Sequence, residues 1–410
     1  MSPRSQPSLD RRSLLRAAAV LGVGLPAVAV LLEACGAPPL TASDLKFASP
    51  DDPVRWTIQD DNQPIADGLP PEAGPLLIYN YADYVAPAVV KSFEKEYGVE
   101  VKISTFNDTD EAVQKIRTGA VPYDIYFPSY DQISRMVAAE LLAPLNHTYL
   151  DNIRNVWDTF RNPWYDQGWQ FTVPYSVYST GIGWRSDQVP DDIAALANPY
   201  DSLWDPAYSG MTAIIDDWHT AMAMVGLRAG ITDVNTSSAR DLRTISDGLS
   251  ELADTTSPKV TVSMYSDLPS GQLGISQMWS GDAVNAQYYL PKGESVDVLR
   301  YWFPEDGKGL VDNDLMVVLR NGRCPVLAHL FLQHMLDERN SLRNFGFIGY
   351  QPPQKTLDTD RLVADGYLPE NLATAAVKEE WFDTSYRLLE LDVANDQAWH
   401  QVWQQFKAGG

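Results

Sequence analysis

The stretch Leu76-Leu77-Ile78-Tyr79-Asn80-Tyr81-Ala82-Asp83-Tyr84 decides the fold class. Its first four residues form a short apolar run with β-branched and aromatic members, which is typical of a buried strand. Its remaining residues are polar and aromatic, and Pro87 then begins an amphipathic helix that ends at Gly98. These side chains therefore follow a strand and precede a helix, where open α/β sheets bind ligands. On composition alone, an ordinary βα loop with exposed tyrosines is the simpler interpretation.

The alternation of strand and helix patterns continues along the chain and predicts an α/β fold with a mostly parallel sheet. A second alternating region starts near Leu203. Further strands are predicted at 99–105, 123–127, 212–215, 273–278 and 310–319, and helices at 87–97, 110–118, 132–141, 218–229, 325–337 and 378–406. The small residues Gly181-Ile182-Gly183 follow an extended run and suit a crossing between two domains.

Length and charge limit the function classes. The chain has 410 residues, of which 45% are hydrophobic, and this allows two or three domains with large cores. A net charge of −23 argues against nucleic acid or anionic lipid as the main partner.

The N-terminus has the features of a targeting segment. Arg11-Arg12 is a twin-arginine pattern, an apolar run spans 17–32, and Leu32-Glu33-Ala34-Cys35 is similar to the lipobox of bacterial lipoproteins. We therefore expect residues 1–34 to be a signal peptide, Cys35 to carry lipid, and 35–74 to be a tether. A plain signal peptide with an incidental cysteine is the alternative. If Cys35 is lipidated, Cys324 has no cysteine with which to form a disulfide.

Catalytic and metal-binding patterns are missing from the sequence. The five histidines show no metal-ligand spacing, and no nucleophile is placed with a base. The pair Gly181 and Gly183 lacks the third glycine of a dinucleotide fingerprint. We therefore expect no enzyme activity, no cofactor and no metal, although a pair of carboxylates can always be catalytic.

Carboxylates recur beside aromatic or hydroxyl residues just after predicted strands. The sites are Tyr81 with Asp83 and Tyr84, Ser129 with Asp131, Asp217, Trp279 with Asp282, and Asp314 within a strand. Asp217 and Asp282 are equally explained as helix N-caps, whereas Asp314 lies in an apolar run where an unpaired carboxylate is costly. Carboxylates pair with ammonium groups, and aromatic faces attract cations and cover methylenes. A linear polyamine needs all of these contacts.

In this order, the motifs resemble those of the spermidine/putrescine-binding proteins, the substrate-binding components of ABC importers. The carrying motifs are Tyr79-Asn80-Tyr81-Ala82-Asp83-Tyr84, Tyr123-Asp124-Ile125-Tyr126-Phe127-Pro128-Ser129, Val173-Pro174-Tyr175, Gly181-Ile182-Gly183, Trp279-Ser280-Gly281-Asp282 and Ile348-Gly349-Tyr350-Gln351-Pro352. The resemblance implies a two-lobed periplasmic-binding-protein fold of type II, with a ligand cleft between lobes formed by 75–176 plus 311–351 and by 177–310 plus 352–410.

The resemblance also implies the site residues. Tyr81, Tyr84, Ser129, Trp279 and Tyr350 match residues that line the amine pocket, and Asp217, Asp282 and Asp314 match acidic positions. Several positions depart from the family pattern: Asp131 and Asp312 replace aromatic residues, Thr220 stands where one branch has Glu, and Phe382 where it has Gln. Compared with the family pattern, the number of acidic residues at the site is therefore kept, but they stand at different positions.

The sequence thus predicts a lipid-anchored binding protein, exported by the twin-arginine route, that captures a polyamine for an ABC permease and its ATPase. We expect a monomer that contacts the membrane only through its lipid and does not bind nucleic acid. One alternative is the same fold binding another small cation, an amino acid or an opine-like compound. The other is a secreted hydrolase with a carboxylate pair.

Overall fold

Nine strands form one mixed sheet in the part of the chain that the computed structural model describes, residues 46–106 and 109–409. The predictions for residues 1–34 and for Cys35 fall outside these residues. The strands are β1 Leu76–Tyr81, β2 Val101–Phe106, β3 Ile125–Tyr126, β4 Thr172–Arg185, β5 Thr212–Ile215, β6 Lys259–Thr261, β7 Ile275–Trp279, β8 Leu299–Trp302 and β9 Leu310–Val318. The helices are α1 Pro87–Tyr97, α2 Thr109–Arg117, α3 Ile133–Ala138, α4 Trp218–Arg228, α5 Ala239–Thr256, α6 Met264–Asp267, α7 Ser280–Asn285, α8 Pro325–Met335, α9 Glu338–Ile348, α10 Thr359–Ala364 and α11 Val393–Lys407.

The strand order is β2-β1-β3-β9-β4-β7-β5-β6, and β8 pairs with β4. The outer strands are parallel, as the strand–helix alternation predicts: β1 with β2 and β3, and β5 with β6 and β7. The antiparallel pairings in the described sheet all involve β4 or β9. These two strands therefore join two parallel groups of strands into one sheet. The prediction of a mostly parallel sheet holds within the two groups but not for the strands that join them.

Strand β4 is long because it pairs with strands of both groups. Its first half pairs with β9, and its second half, from Thr180 to Arg185, pairs with β7 and β8. Gly181 allows this double pairing, since a Cβ there would lie 2.0 Å from the carbonyl oxygen of Trp302. The small residues thus mark a close approach of strands at the crossing.

A buried carboxylate connects three segments beneath the first group of strands. Asp124 accepts hydrogen bonds from the backbone N–H groups of Leu77, Arg323 and Cys324, at 2.7, 2.6 and 2.8 Å. These contacts join β1 to the loop before α8, which is far away in sequence. Burial raises the pKa of Asp124, and the three backbone donors oppose that rise.

The C-terminal segment differs from the prediction. A helix over 378–406 is wrong for the first half of that range: residues Glu379–Asp383 form a 3-10 turn, and the α-helix begins only at Val393. Asp392 caps this helix by accepting from the N–H groups of Ala394 and Asn395, which explains where it starts. Three tryptophans of this segment are buried in the core: Trp381, Trp399 and Trp403.

Residues 46–75 contain no helix or strand, but they pack on the domain. Val54 is buried, and the backbone N–H of Trp56 donates to the side chain of Gln170 at 2.6 Å. No helix in the described ranges combines the length and the apolar character needed to cross a membrane.

Candidate functional site

The predicted site residues come from strand ends and from the crossing strand β9. Tyr81 and Trp279 are the last residues of β1 and β7, and Asp217 follows the end of β5. Asp314 lies inside β9, opposite Ser176 of β4, and its backbone also bridges to Ser129. The topology therefore brings residues from both groups of strands to the crossing.

Asp314 is held by tyrosine hydroxyls. Tyr84 donates to its Oδ2 at 2.6 Å and Tyr178 to its Oδ1 at 3.4 Å. The side chain is buried, and among the described residues no lysine or arginine forms an ion pair with it. Burial raises the pKa of Asp314 to about 7, and the carboxylates of Asp312 and Asp131 add to the rise.

Asp282 has a similar environment on the other group of strands. Tyr350 donates to its Oδ1 at 2.9 Å, while its Oδ2 is buried without a hydrogen-bond partner. Asp282 lies in the first turn of α7 but does not cap it, so the N-cap interpretation is wrong for this residue. Burial raises the pKa of Asp282 to about 7.

Two glycines let Tyr350 reach this carboxylate. A Cβ on Gly281 would lie 2.3 Å from the Tyr350 ring. Gly349 has φ 76°, a conformation that favours glycine, and a Cβ there would lie 2.2 Å from the carbonyl oxygen of Gly281. The glycines in both motifs are therefore required by close packing beside the site.

Aromatic rings connect the two carboxylates. The Tyr350 ring makes edge contacts with the rings of Tyr84 and Tyr178, at centroid distances of 5.3 and 5.5 Å. Tyr178 also contacts Trp279 at 6.4 Å, and Tyr81 contacts Tyr84 at 5.5 Å. We call these five rings the aromatic wall. Through these contacts the rings connect the surroundings of Asp314 with those of Asp282.

Asp131 and Asp217 lie beside this wall. The hydroxyl of Ser129 donates to Asp131, which is half-buried. Burial raises the pKa of Asp131, Ser129 and Arg135 oppose the rise, and the charge of Asp217 adds to it. Asp217 is the N-cap of α4, since its Oδ1 accepts from the N–H of Thr220 at 2.8 Å.

Two of the predicted site residues contribute little side-chain contact to the cluster. Thr220 is buried, and its contacts there are through its backbone: its carbonyl accepts from Gln277 at 3.0 Å. Asp83 is exposed in a turn with φ 53°, and its charge acts on Tyr265 of α6. Asp83 therefore lies at the edge of the site.

Sequence reasoning missed the arginine beside Asp312. The Nε of Arg387 lies 3.9 Å from Oδ1 of Asp312, which also accepts from the hydroxyl of Tyr130 at 2.5 Å. Burial raises the pKa of Asp312 to about 6, and the charge of Arg387 opposes the rise. Tyr178 was also missed as a site residue, although its place on the crossing strand was a usable signal.

The arrangement provides two buried carboxylates, for which the described residues supply no basic partner, and aromatic rings between them. Such a site can hold a cation with an apolar chain. In the ranges that the structure describes, no three histidine, cysteine, aspartate or glutamate side chains come together as metal ligands.

Comparisons with known proteins give the family. Residues 88–370 match the family model of the bacterial extracellular solute-binding proteins. The spermidine/putrescine-binding periplasmic protein of Salmonella typhimurium is 25% identical over 82% of this chain and 92% of its own length. The putrescine/cadaverine-binding protein of Pseudomonas aeruginosa is 24% identical over 68% of this chain and 79% of its own.

Solved structures of binding proteins have a similar fold. The spermidine/putrescine ABC transporter substrate-binding protein of Streptococcus pneumoniae, in complex with calcium and HEPES, is 25% identical, with a TM-score of 0.66 over 81% of this chain and 98% of its own. A glucopine complex from Agrobacterium tumefaciens is 16% identical over 80% of this chain and 98% of its own, with a TM-score of 0.60, and it shows the fold alone. The predicted two-lobed α/β fold and the predicted family resemblance are confirmed. Because the family model covers more than half of the chain, this protein belongs to the bacterial extracellular solute-binding proteins, a family of binding proteins rather than enzymes.

Proposed function

We propose that this protein binds a polyamine for an ABC importer. The observation that carries the proposal is the pair of buried carboxylates, Asp282 and Asp314, joined by the aromatic wall. Each carboxylate is hydrogen-bonded by tyrosine, and neither has an ion-pair partner among the described residues. Two ammonium groups would supply the missing positive charges, and the rings would cover the methylenes between them.

The names of the relatives support this ligand class. The proteins matched over most of their length are named for binding spermidine and putrescine, or putrescine and cadaverine. We propose Tyr81, Tyr84, Trp279 and Tyr350 as ring contacts, and Asp282 and Asp314 as the principal ammonium partners. Ser129, Asp131, Asp217 and Thr220 would line one side, and Asp83 would lie at the entrance.

The strand crossing supports a division of the chain into two lobes. We propose that residues 75–176 plus 311–351 form one lobe and 177–310 plus 352–410 the other, with β4 and β9 as the hinge. The double pairing of β4 supports this boundary, since its two halves belong to different groups of strands. A ligand held between Asp282 and Asp314 would then connect both lobes and favour their closure.

Export and anchoring remain part of the proposal. We propose export by the twin-arginine route, lipid attachment at Cys35 on the outer face of the cytoplasmic membrane, and action as a monomer with an ABC permease and its ATPase. The periplasmic relatives support an extracytoplasmic location. Cys35→Ser should move the protein from the membrane fraction to the soluble fraction, and unchanged fractionation would disprove the anchor.

A calorimetric screen tests the ligand. Purified protein should bind putrescine, cadaverine or spermidine with a measurable heat at neutral pH, while glutamate and glucose should give none. Failure to bind any of the three amines would overturn the proposal.

A second candidate ligand has an observation in its favour. An amino acid or opine-like compound needs a cation for its carboxylate, and Arg387 is a buried cation at the site. However, Arg387 already faces Asp312 and donates to Asn313 at 2.6 Å, so a carboxylate would have to displace these partners. Agmatine, arginine and lysine in the same screen separate the two ligand classes, because agmatine lacks the carboxylate.

A further inference from the structure

Arg387 is held firmly beside Asp312, at one end of the group of acids formed by Asp312, Asp314 and Asp131. Its guanidinium carbon lies 4.5 Å from the ring centroid of Tyr130 and 4.7 Å from that of Phe382, and its Nη2 donates to Asn313. The side chain is only 9% exposed. Stacking on two rings and a hydrogen bond fix the planar group in place.

The charge of this arginine is directed at Asp312. The Nε group is buried, has no hydrogen-bond partner and lies 3.9 Å from the Asp312 carboxylate. A buried arginine is costly unless an opposite charge is near, and Asp312 supplies that charge. The pair is therefore close to neutral, so Asp312 has little attraction left for a ligand ammonium group.

Asp131 and Asp217 are also partly satisfied by the protein. The Ser129 hydroxyl and the charge of Arg135 act on Asp131, although Arg135 also pairs with Glu390 at 2.9 Å. One oxygen of Asp217 is used as a helix cap. By contrast, the described residues offer Asp282 and Asp314 tyrosine hydroxyls alone, and Asp282 keeps an unpartnered buried oxygen.

We propose that Arg387 is a built-in cation that neutralises Asp312 and restricts the site to ligands with two ammonium groups, so that a diamine is preferred to a triamine. This inference rests on the proposed polyamine function. The side chain would take the place of a third ligand ammonium, which would lose its water there without gaining a free carboxylate. Asp312 and Phe382 lie on this arginine from two sides, one as its counter-charge and the other as a stacking surface.

Three ligands separate the effect of the number of ammonium groups from the effect of the ligand's length. Putrescine has two ammonium groups, spermidine has three, and diaminooctane has two at about the spacing of the outer nitrogens of spermidine. By titration calorimetry, the wild-type protein should bind putrescine about 10-fold or more tighter than spermidine, because Arg387 already neutralises the carboxylate that the extra ammonium group would need. Spermidine binding at least as tightly as putrescine would overturn the inference without affecting the proposed function, whereas no binding of either amine would overturn both.

Arg387→Met keeps the apolar stacking and removes the charge. Spermidine affinity should rise about 10-fold relative to that of diaminooctane, since the freed Asp312 can now hold the third ammonium. The double variant with Asp312→Asn should lose that gain, and Arg387→Lys should keep the wild-type preference. Arg361→Met, at an exposed ion pair, is the matched control.

An unchanged spermidine-to-diaminooctane ratio in folded Arg387→Met would contradict the inference. If that variant does not fold, the wild-type preference and Arg387→Lys still decide the question. Two results together would also overturn the inference: the wild-type protein binds diaminooctane no better than spermidine, and Arg387→Lys binds spermidine more tightly than diaminooctane.

Discussion

At the scale of single residues, the site is built from carboxylates of the same chemistry in different surroundings. Asp312 faces an arginine, Asp217 caps a helix, and Asp282 and Asp314 receive tyrosine hydroxyls. Since an ion buried without a counter-charge is unfavourable, the last two are the ones for which a cationic ligand adds most. The position of each acid in the sequence does not reveal this difference.

Removing either charge should weaken binding. Asp282→Asn or Asp314→Asn should each cost about 2–5 kcal/mol of binding free energy, the range for leaving one member of a buried charge pair without its partner. Titration calorimetry with putrescine measures the loss. Asp151→Asn, at an exposed carboxylate, is the control and should bind as the wild type does. Equal affinity in all variants would mean that these carboxylates do not hold the ligand.

Binding should also depend on pH in a defined direction. Burial raises the pKa of both Asp282 and Asp314 to about 7, and an ammonium group stabilises only the ionised form. Protons therefore compete with the ligand, so affinity should fall as the pH drops below 7, by up to about 10-fold per pH unit for each carboxylate. The hydroxyls of Tyr84, Tyr178 and Tyr350 face these groups and stay protonated throughout, because burial raises their pKa values.

The same shifts give the opposite sign for the free protein. A carboxyl whose pKa is raised by folding binds its proton more tightly in the folded state, so its contribution to stability falls as pH rises from about 4 to about 7. The increase in melting temperature caused by putrescine should therefore grow between pH 5 and 8. A ligand-induced increase independent of pH would contradict the assignment of these two acids.

At the scale of the elements, the sequence predicted the parallel strands and a crossing near Gly181, but not which strands pair there. The strand at Leu76–Tyr81 and the helix after it were predicted from their apolar patterns and from Pro87. The antiparallel pairing of β4 with β9 joins residues far apart in sequence, and no local pattern reports such a contact. For the same reason Arg387 was missed: it follows an irregular segment, and only the fold brings it to Asp312.

Asp124 gives the prediction that belongs to this scale. Its carboxylate accepts three backbone hydrogen bonds that join β1 to the loop before α8, so Asp124→Asn should leave at least one buried N–H without a good acceptor. We expect a loss of about 1–3 kcal/mol in the free energy of unfolding, measured with urea. Asp61→Asn, at an exposed ion pair, is the control. A loss no greater than that of the control would mean that the three contacts are replaceable.

At the scale of the whole molecule, the two carboxylates that we propose as ammonium partners belong to different parts of the sheet. Asp314 belongs to a strand paired with β3 and β4, and Asp282 to the helix that follows β7. Ligand between them would draw the two groups of strands together. We therefore expect putrescine to reduce the radius of gyration in solution scattering. Asp282→Asn should abolish the reduction at the same ligand concentration, and an unchanged radius in the wild type would exclude closure.

The strand order has a consequence for biosynthesis. Strand β3 is bordered by β1 and by β9, which is made only after nearly two hundred further residues. While the chain is being translated, the strands that emerge first therefore lack the neighbour that completes their sheet, and Asp124 lacks two of its three donors. Long-range pairing of this kind delays folding, and exposed strand edges invite aggregation. We expect the nascent chain to remain a client of chaperones until its last third has left the ribosome.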